Sequence, residues 1–290
     1  MNTGRVALVV AALVAVVLVV RHSENLQTTL TTWVFAPFNR WYHRAQVAVV
    51  ERMREGAPIR RGDPLPDALR GRVSIAHVEG FGDLPSARDK CDAAMSALCP
   101  LWPGACRDDL VVFDVLQARG AYLPGMHTDT EWNKVVNDGY QVWCLEENQN
   151  DANMGNMFIF ANERLRAKYA GIGISVRVVG DEVRIVKNCG NVAVYMFETS
   201  LEILERIPIE QFLDETTKHY LDVEAGDCVA FDRTLLHMSD YRDTGKKRLA
   251  INFRVAYRNE NGLEIDPEDC GYAGSVPRTI ADPGRYDLVE

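Results

Sequence analysis

The stretch Gly125-Met126-His127-Thr128-Asp129-Thr130-Glu131-Trp132 sets a histidine and a carboxylate two residues apart. On a strand, positions i and i+2 share a face, so an imidazole and a carboxylate there point the same way. Alone the pair says little, because His22-Ser23-Glu24 and His77-Val78-Glu79 have the same form. A second block gives it weight. Gly226-Asp227 is a turn leading into the apolar run 228–231, and Leu235-Leu236-His237-Met238-Ser239 follows. Asp243-Thr244-Gly245 is a further turn, after which the chain returns through Arg248-Leu249-Ala250-Ile251-Asn252-Phe253. A two-residue loop at Thr244-Gly245, or a four-residue one at 243–246, sets Arg248 opposite Tyr241 on the face of Ser239 and His237. Arg248 would then lie roughly 10–14 Å from His237 along that wall, at about 3.4 Å per residue.

Two histidines and one carboxylate on one face of an octahedral Fe(II) leave three positions open. A 2-oxo acid can fill two of them through its keto oxygen and C1 carboxylate, leaving one for O2. Its remote carboxylate needs a fixed cation, and arginine supplies a planar bidentate partner. The imidazoles must be neutral to ligate, and their second ring nitrogens then need acceptors.

His127-x-Asp129, then His237, then Arg248 after ten intervening residues, resembles the Fe(II)/2-oxoglutarate-dependent dioxygenases, most of all the phytanoyl-CoA dioxygenase-like branch. The likeness spans roughly residues 70–260 and is carried by these two short blocks. It implies a double-stranded β-helix (jelly roll), with His127, Asp129 and His237 holding iron and Arg248 binding the distal carboxylate of 2-oxoglutarate. Tyr140-Gln141-Val142-Trp143 resembles the strand after the first block, where that family places polar or aromatic contacts to the cosubstrate. Which of Tyr140, Gln141 and Trp143 faces inward is open at this level. Ser239 and Asn252 are candidates for assisting the cosubstrate or the barrel's hydrogen bonding, and His219 fits no position in the pattern.

The likeness has departures. Met154 interrupts the expected Asn-Gly turn at Asn153-Met154-Gly155-Asn156, so substrate-loop roles are not carried over. Residues 171–198 exceed the family core and read as a lid or interaction surface. An intact Asp129 fills the position that related halogenases empty for chloride, which favours hydroxylation. The implied activity is hydroxylation of a small molecule, lipid or protein, with release of succinate and CO2. Two other readings stay open: a membrane-tethered jelly-roll binding module without turnover, and a cupin-type metalloenzyme that does not use 2-oxoglutarate.

These residues need a scaffold, and the remainder of the chain describes one. At 290 residues, 47% hydrophobic and 25% charged, it can bury a sizeable core, which excludes global disorder. A net charge of −9 and a pI near 5.3 argue against a nucleic-acid binder. Short β-like runs fall at 73–78, 110–115, 140–146, 157–160, 175–179, 183–186, 192–197, 220–223, 228–231, 234–237 and 249–257. Helical patterns are fewer, at 86–98, 163–169 and 209–216. Many strands at short spacing predict a mainly β barrel or sandwich with flanking helices. Residues 67–290 are read as this domain.

The N-terminal part has another character. Residues 6–20 are fifteen consecutive Val, Ala and Leu between Arg5 and Arg21. As a helix this spans about 23 Å against a hydrocarbon core of about 30 Å, short but rescued by snorkelling arginines. No small-x-small cleavage site follows, so residues 1–22 are read as an uncleaved transmembrane anchor, with a cleaved signal peptide as the alternative. Residues 23–66 are read as an amphipathic juxtamembrane helix ending in a Pro/Gly/Arg linker at 58–66, the helix lying either at the headgroups or on the globular body. Residues 21–61 carry a net +4 and residues 62–290 a net −14, so the two regions face different surroundings. The flanking charges favour a lumenal or exoplasmic body and the later arginine cluster the opposite. Seven cysteines do not decide the compartment, although Cys91, Cys99 and Cys106 are close enough to bridge.

Overall fold

Along Gly139–Asn148 (β4) the side chains divide by parity. Tyr140, Val142 and Cys144 enter one apolar cluster, whereas Trp143 and Leu145 enter another. A strand buried on both faces must be central, and β4 is the middle strand of a five-stranded sheet. The computed structural model describes residues 41, 43–119, 125–129, 135, 137–151, 153–187, 202–242 and 246–264. The proposed anchor at 1–22 and the run 192–197 lie outside them. Among the described residues no helix is long and apolar enough to cross a membrane.

The five-stranded sheet has the order β2-β10-β4-β12-β3, built from Val73–His77 (β2), Asp227–Asp232 (β10), β4, Arg248–Tyr257 (β12) and Leu110–Arg119 (β3). Facing it is a sheet of order β1-β9-β5-β11, from Arg54–Glu55 (β1), Thr217–Leu221 (β9), Met157–Ala161 (β5) and Leu236–Ser239 (β11). Between them pack Val73, Ile75, Trp143, Leu145, Ile159, Leu221, Val229 and Phe231. From β3 the chain crosses to the segment 126–128 of the smaller sheet, back to β4, over to β5 and β9, and then alternates through β10, β11 and β12, which is the arrangement of a jelly roll. A third ribbon, Ile174–Val179 (β6), Glu182–Lys187 (β7) and Ile203–Pro208 (β8), is inserted between β5 and β9. It joins the smaller sheet through the segment 126–128, which bonds to β11 on one side and to β6 on the other.

Helices cover the outer faces. Arg44–Arg52 (α1) buries Val49 and Val50 in the cluster that holds Met126, Phe158, Val176 and Met238. Ala87–Leu98 (α2), capped by the Ser86 hydroxyl accepting from Asp89 N at 3.1 Å, lays Cys91, Ala94 and Met95 on the larger sheet. Glu163–Lys168 (α3) and Ile209–Glu215 (α4) flank the insertion.

On three points the structure decides what the sequence left open or placed differently. First, α1 and the stretch 58–66 belong to the globular body. Ile59 is buried and bridges to Leu221, and Arg60 and Arg61 pair with Asp222, Glu224 and Asp227. Second, the expected β11–β12 hairpin does not form; its turn, 243–245, lies outside the described residues. Both edges of β11 are taken, by β5 and by His127, and both edges of β12 by β3 and β4. Third, Cys99 pairs with Cys106 and Cys144 with Cys228, while Cys91 is buried under the larger sheet. Cys189 and Cys270 lie outside the described residues.

Candidate metal centre

His127 and His237 are directly opposed across adjacent antiparallel strands. His127 N donates to His237 O at 3.0 Å and His237 N to His127 O at 2.9 Å. Asp129, two residues on, is fixed by its own N–H donating to Arg233 O at 2.9 Å. The alternation of this segment is visible in its contacts. Met126 enters the outer apolar cluster, and the Thr128 hydroxyl accepts from Ile174 N at 2.9 Å. His127, Asp129 and His237 face inward at 6%, 4% and 5% exposure.

The three side chains converge. Nε2 of His127 stands 3.5 Å from Asp129 Oδ1, Nε2 of His237 stands 3.2 Å from Asp129 Oδ2, and one donor atom from each lies within 4.8 Å of the others. Each imidazole is oriented from behind by a main-chain carbonyl. His127 Nδ1 meets Gly125 O at 2.9 Å and His237 Nδ1 meets Leu235 O at 3.0 Å. A carbonyl can only accept, so both Nδ1 atoms carry hydrogen. In a neutral ring that leaves the Nε2 lone pair aimed at a carboxylate, an acceptor facing an acceptor. Such an arrangement calls for a cation.

The three groups also shift one another's protonation. Burial, and then the neighbouring His237, hold the His127 imidazole below its ordinary value. Burial alone would raise Asp129, yet the charge of His237 and the hydrogen bonds of both imidazoles keep it well below the carboxylate range. His237 rises despite burial because it faces that carboxylate. Two imidazole nitrogens and a carboxylate oxygen suit Fe(II) or a similar divalent ion.

The opposing wall is polar where it faces the centre. Phe231, Gln141 and Arg254 form one row across β10, β4 and β12, and Val229, Trp143 and Asn252 form the next. Phe231 meets His237 edge-on at 5.1 Å between ring centroids, which places the first row beside the centre. Gln141 Oε1 and Asn252 Oδ1 are buried without a hydrogen-bond partner among the described residues. Arg248 is paired along the backbone with Asn148, yet its guanidinium lies 5.6 Å from the Trp143 ring centroid. The side chain is therefore folded back along the inner face towards the centre. It is 2% exposed.

Of the residues singled out from sequence, His127, Asp129 and His237 meet at one point, and Gln141, Trp143, Asn252 and Arg248 line the facing wall. Ser239 shares the inner face of β11 two residues beyond His237, paired with Met157. Tyr140 is the exception. Its ring packs under α2 against Trp102 and Tyr257, with its hydroxyl on Met95 Sδ at 3.5 Å, on the opposite face of β4. His219 is structural, with Nδ1 on Ala57 O at 2.9 Å. Sequence reasoning missed Arg254, whose charge bears on His237; its even spacing from Arg248 and Asn252 was the available signal. It also missed Ser175, which pairs with His127. Nothing local marks that pairing.

No family model matches the chain, and no curated protein matches it. Among solved structures it is similar to a non-heme monooxygenase, ThoJ, at 15% identity over 61% of this chain with a TM-score of 0.33. The chain spans only 54% of that protein's length. The non-heme alpha-ketoglutarate-dependent epimerase SnoN from nogalamycin biosynthesis is 12% identical over 77% of this chain and 93% of its own, with a TM-score of 0.42. A taurine dioxygenase from Burkholderia xenovorans is 14% identical over 70% and 88%, with a TM-score of 0.31. At these values the chemistry rests on this chain's own side chains.

Proposed function

We propose that this protein is an Fe(II)- and 2-oxoglutarate-dependent oxygenase that hydroxylates an organic substrate. The observation that carries the reading is the pair of backbone-locked imidazoles presenting Nε2 to one buried carboxylate. When bound, iron with 2-oxoglutarate and O2 supplies the oxidation of a C–H bond, the cosubstrate leaving as succinate and CO2. His127, Asp129 and His237 hold the metal, and the carbonyls of Gly125 and Leu235 keep both imidazoles in the ligating tautomer. Arg248, braced on the Trp143 ring, binds the distal carboxylate of the cosubstrate. Gln141 and Asn252 offer unsatisfied amide oxygens to a ligand at the centre. The apolar layer around Ile159, Val229 and Phe231 keeps bulk water away.

Within this class, the spacing of His127, Asp129, His237 and Arg248 supports a phytanoyl-CoA dioxygenase-like member. The −14 charge of residues 62–290 disfavours polyanionic substrates. Two disulfides support folding in an oxidising compartment, consistent with a lumenal or exoplasmic body behind an anchor at 1–22. Anaerobic loading with Fe(II) and 2-oxoglutarate, followed by admission of O2 and measurement of succinate release, tests the central claim. Wild type should release succinate and His127→Ala should not; equal release from both would remove His127 from the chemistry.

A further inference from the structure

The insertion places a hydroxyl beside the metal centre. Ser175 of β6 is the cross-strand partner of His127. The flanking bonds, Thr128 N to Ile174 O and Val176 N to Met126 O, both 2.9 Å, make this a non-hydrogen-bonded pair. In such a pair the Cα atoms approach to about 4.5 Å and the side chains lie closest. Ile174 and Val176 turn to the outer apolar cluster, so Ser175 turns inward with His127. His237, His127 and Ser175 thus stand in one row across three adjacent strands.

Ser175 is 2% exposed, and its Oγ has no hydrogen-bond partner among the described residues. Leaving a hydroxyl buried and unpaired costs about 1–3 kcal/mol, so alanine or valine would suit this strand better if packing were all that mattered. Buried groups of this kind point to a water or ligand that completes them. Ser175 is not among the three converging donors.

We propose that Ser175 is a positioning residue of the centre, hydrogen-bonding the solvent oxygen that fills the metal's open side on the His127 flank. This rests on the metal-centre reading above. The inserted ribbon then does more than enlarge the barrel, because it supplies a polar group to the exchangeable position from the ligands' own side.

The test uses the full chain and Co(II) alone. Wild type, Ser175→Ala and Ser175→Thr are titrated with Co(II), and both affinity and visible absorption are recorded. Ser175→Ala should bind Co(II) with less than about a tenfold change, below the usual cost of losing a group that orients a ligand. Its absorption bands should move, and Ser175→Thr, which keeps the hydroxyl, should restore the wild-type bands. If the Ser175→Ala spectrum superimposes on that of wild type, the role of Ser175 is refuted while the metal centre stands. A Ser175→Ala protein that binds no Co(II) also refutes it, by making Ser175 a ligand or a fold determinant. Failure of wild type itself to take up Co(II) overturns both readings.

Discussion

His127 and His237 belong to segments 110 residues apart, yet they exchange both backbone hydrogen bonds and bring their ring centroids to 4.3 Å. The separation of the two nitrogen donors is therefore set by sheet pairing, the stiffest spacing available to a chain. Asp129 follows by strand periodicity alone. A site built this way needs little rearrangement to accept an ion.

Removing one donor should abolish metal uptake without unfolding the barrel. Asp129→Ala and His237→Ala should each weaken Mn(II) binding by more than about a hundredfold, beyond the range for groups that only orient ligands. Titration followed by paramagnetic resonance reads the affinity, and circular dichroism reads the fold. Near-wild-type binding by either variant would separate that residue from the metal.

Arg248→Ala should leave Mn(II) binding intact and weaken 2-oxoglutarate binding by about 2–5 kcal/mol, the usual cost of truncating one side of a buried charged pair. Arg248→Lys should recover only part of this, since an ammonium lacks the planar fork that rests on Trp143. Calorimetry on the Mn(II)-loaded protein measures both. Unchanged cosubstrate affinity in Arg248→Ala would favour a metalloenzyme of another kind.

The two disulfides should differ in weight. Cys144–Cys228 closes a separation of 84 residues and Cys99–Cys106 one of 7. Loop-closure entropy assigns them about 4.5 and about 2.4 kcal/mol respectively. Denaturant unfolding of the two double Cys→Ala variants gives the comparison, and the reverse ranking would contradict it.

Gly139→Ala should be severely destabilising. A Cβ there would drive into the Val255 carbonyl and lie 2.9 Å from Ala256 Cα, both backbone atoms of the neighbouring strand β12. Forcing β4 and β12 apart should cost about 3 kcal/mol, the upper end for overpacking. A melting temperature equal to that of wild type would show that the strands yield.

Stability should fall as the solution turns acidic, in part through His43. Burial, and then the Arg177 guanidinium, push its imidazole down to about 4 from an ordinary 6.5. Above pH 6.5 the ring is neutral folded or unfolded and contributes no pH dependence. Between 6.5 and about 4 only the unfolded chain takes up the proton, so stability is lost as pH falls through that window. The loss approaches about 3 kcal/mol. His43→Gln should flatten this part of the profile, and an unaltered slope would assign it to other groups.

Much of the centre was legible because its signals are local. His127 and Asp129 share a face by parity, and the strand runs around β4, β10 and β12 announce themselves as short apolar stretches between turn residues. What sequence could not supply was pairing between distant strands. The turn at 243–245 made a β11–β12 hairpin the economical guess, and only the occupation of both edges of β11 rules it out. Tyr140 and Gln141 looked equivalent until register sent one to each face of β4. Cys228 is opposite Cys144 for the same nonlocal reason.

The segment 126–128 is a seam stitched on both sides, to β11 and to β6. Adding or deleting one residue between Gly125 and Asp129 would turn the protein's chemistry inside out. The imidazole and carboxylate would be thrust among the methyls of the outer layer, while Met126 or Thr128 faced the opposing sheet. Two flanking ribbons hold the segment to its parity, so the phase of three residues is guarded by the architecture of two sheets.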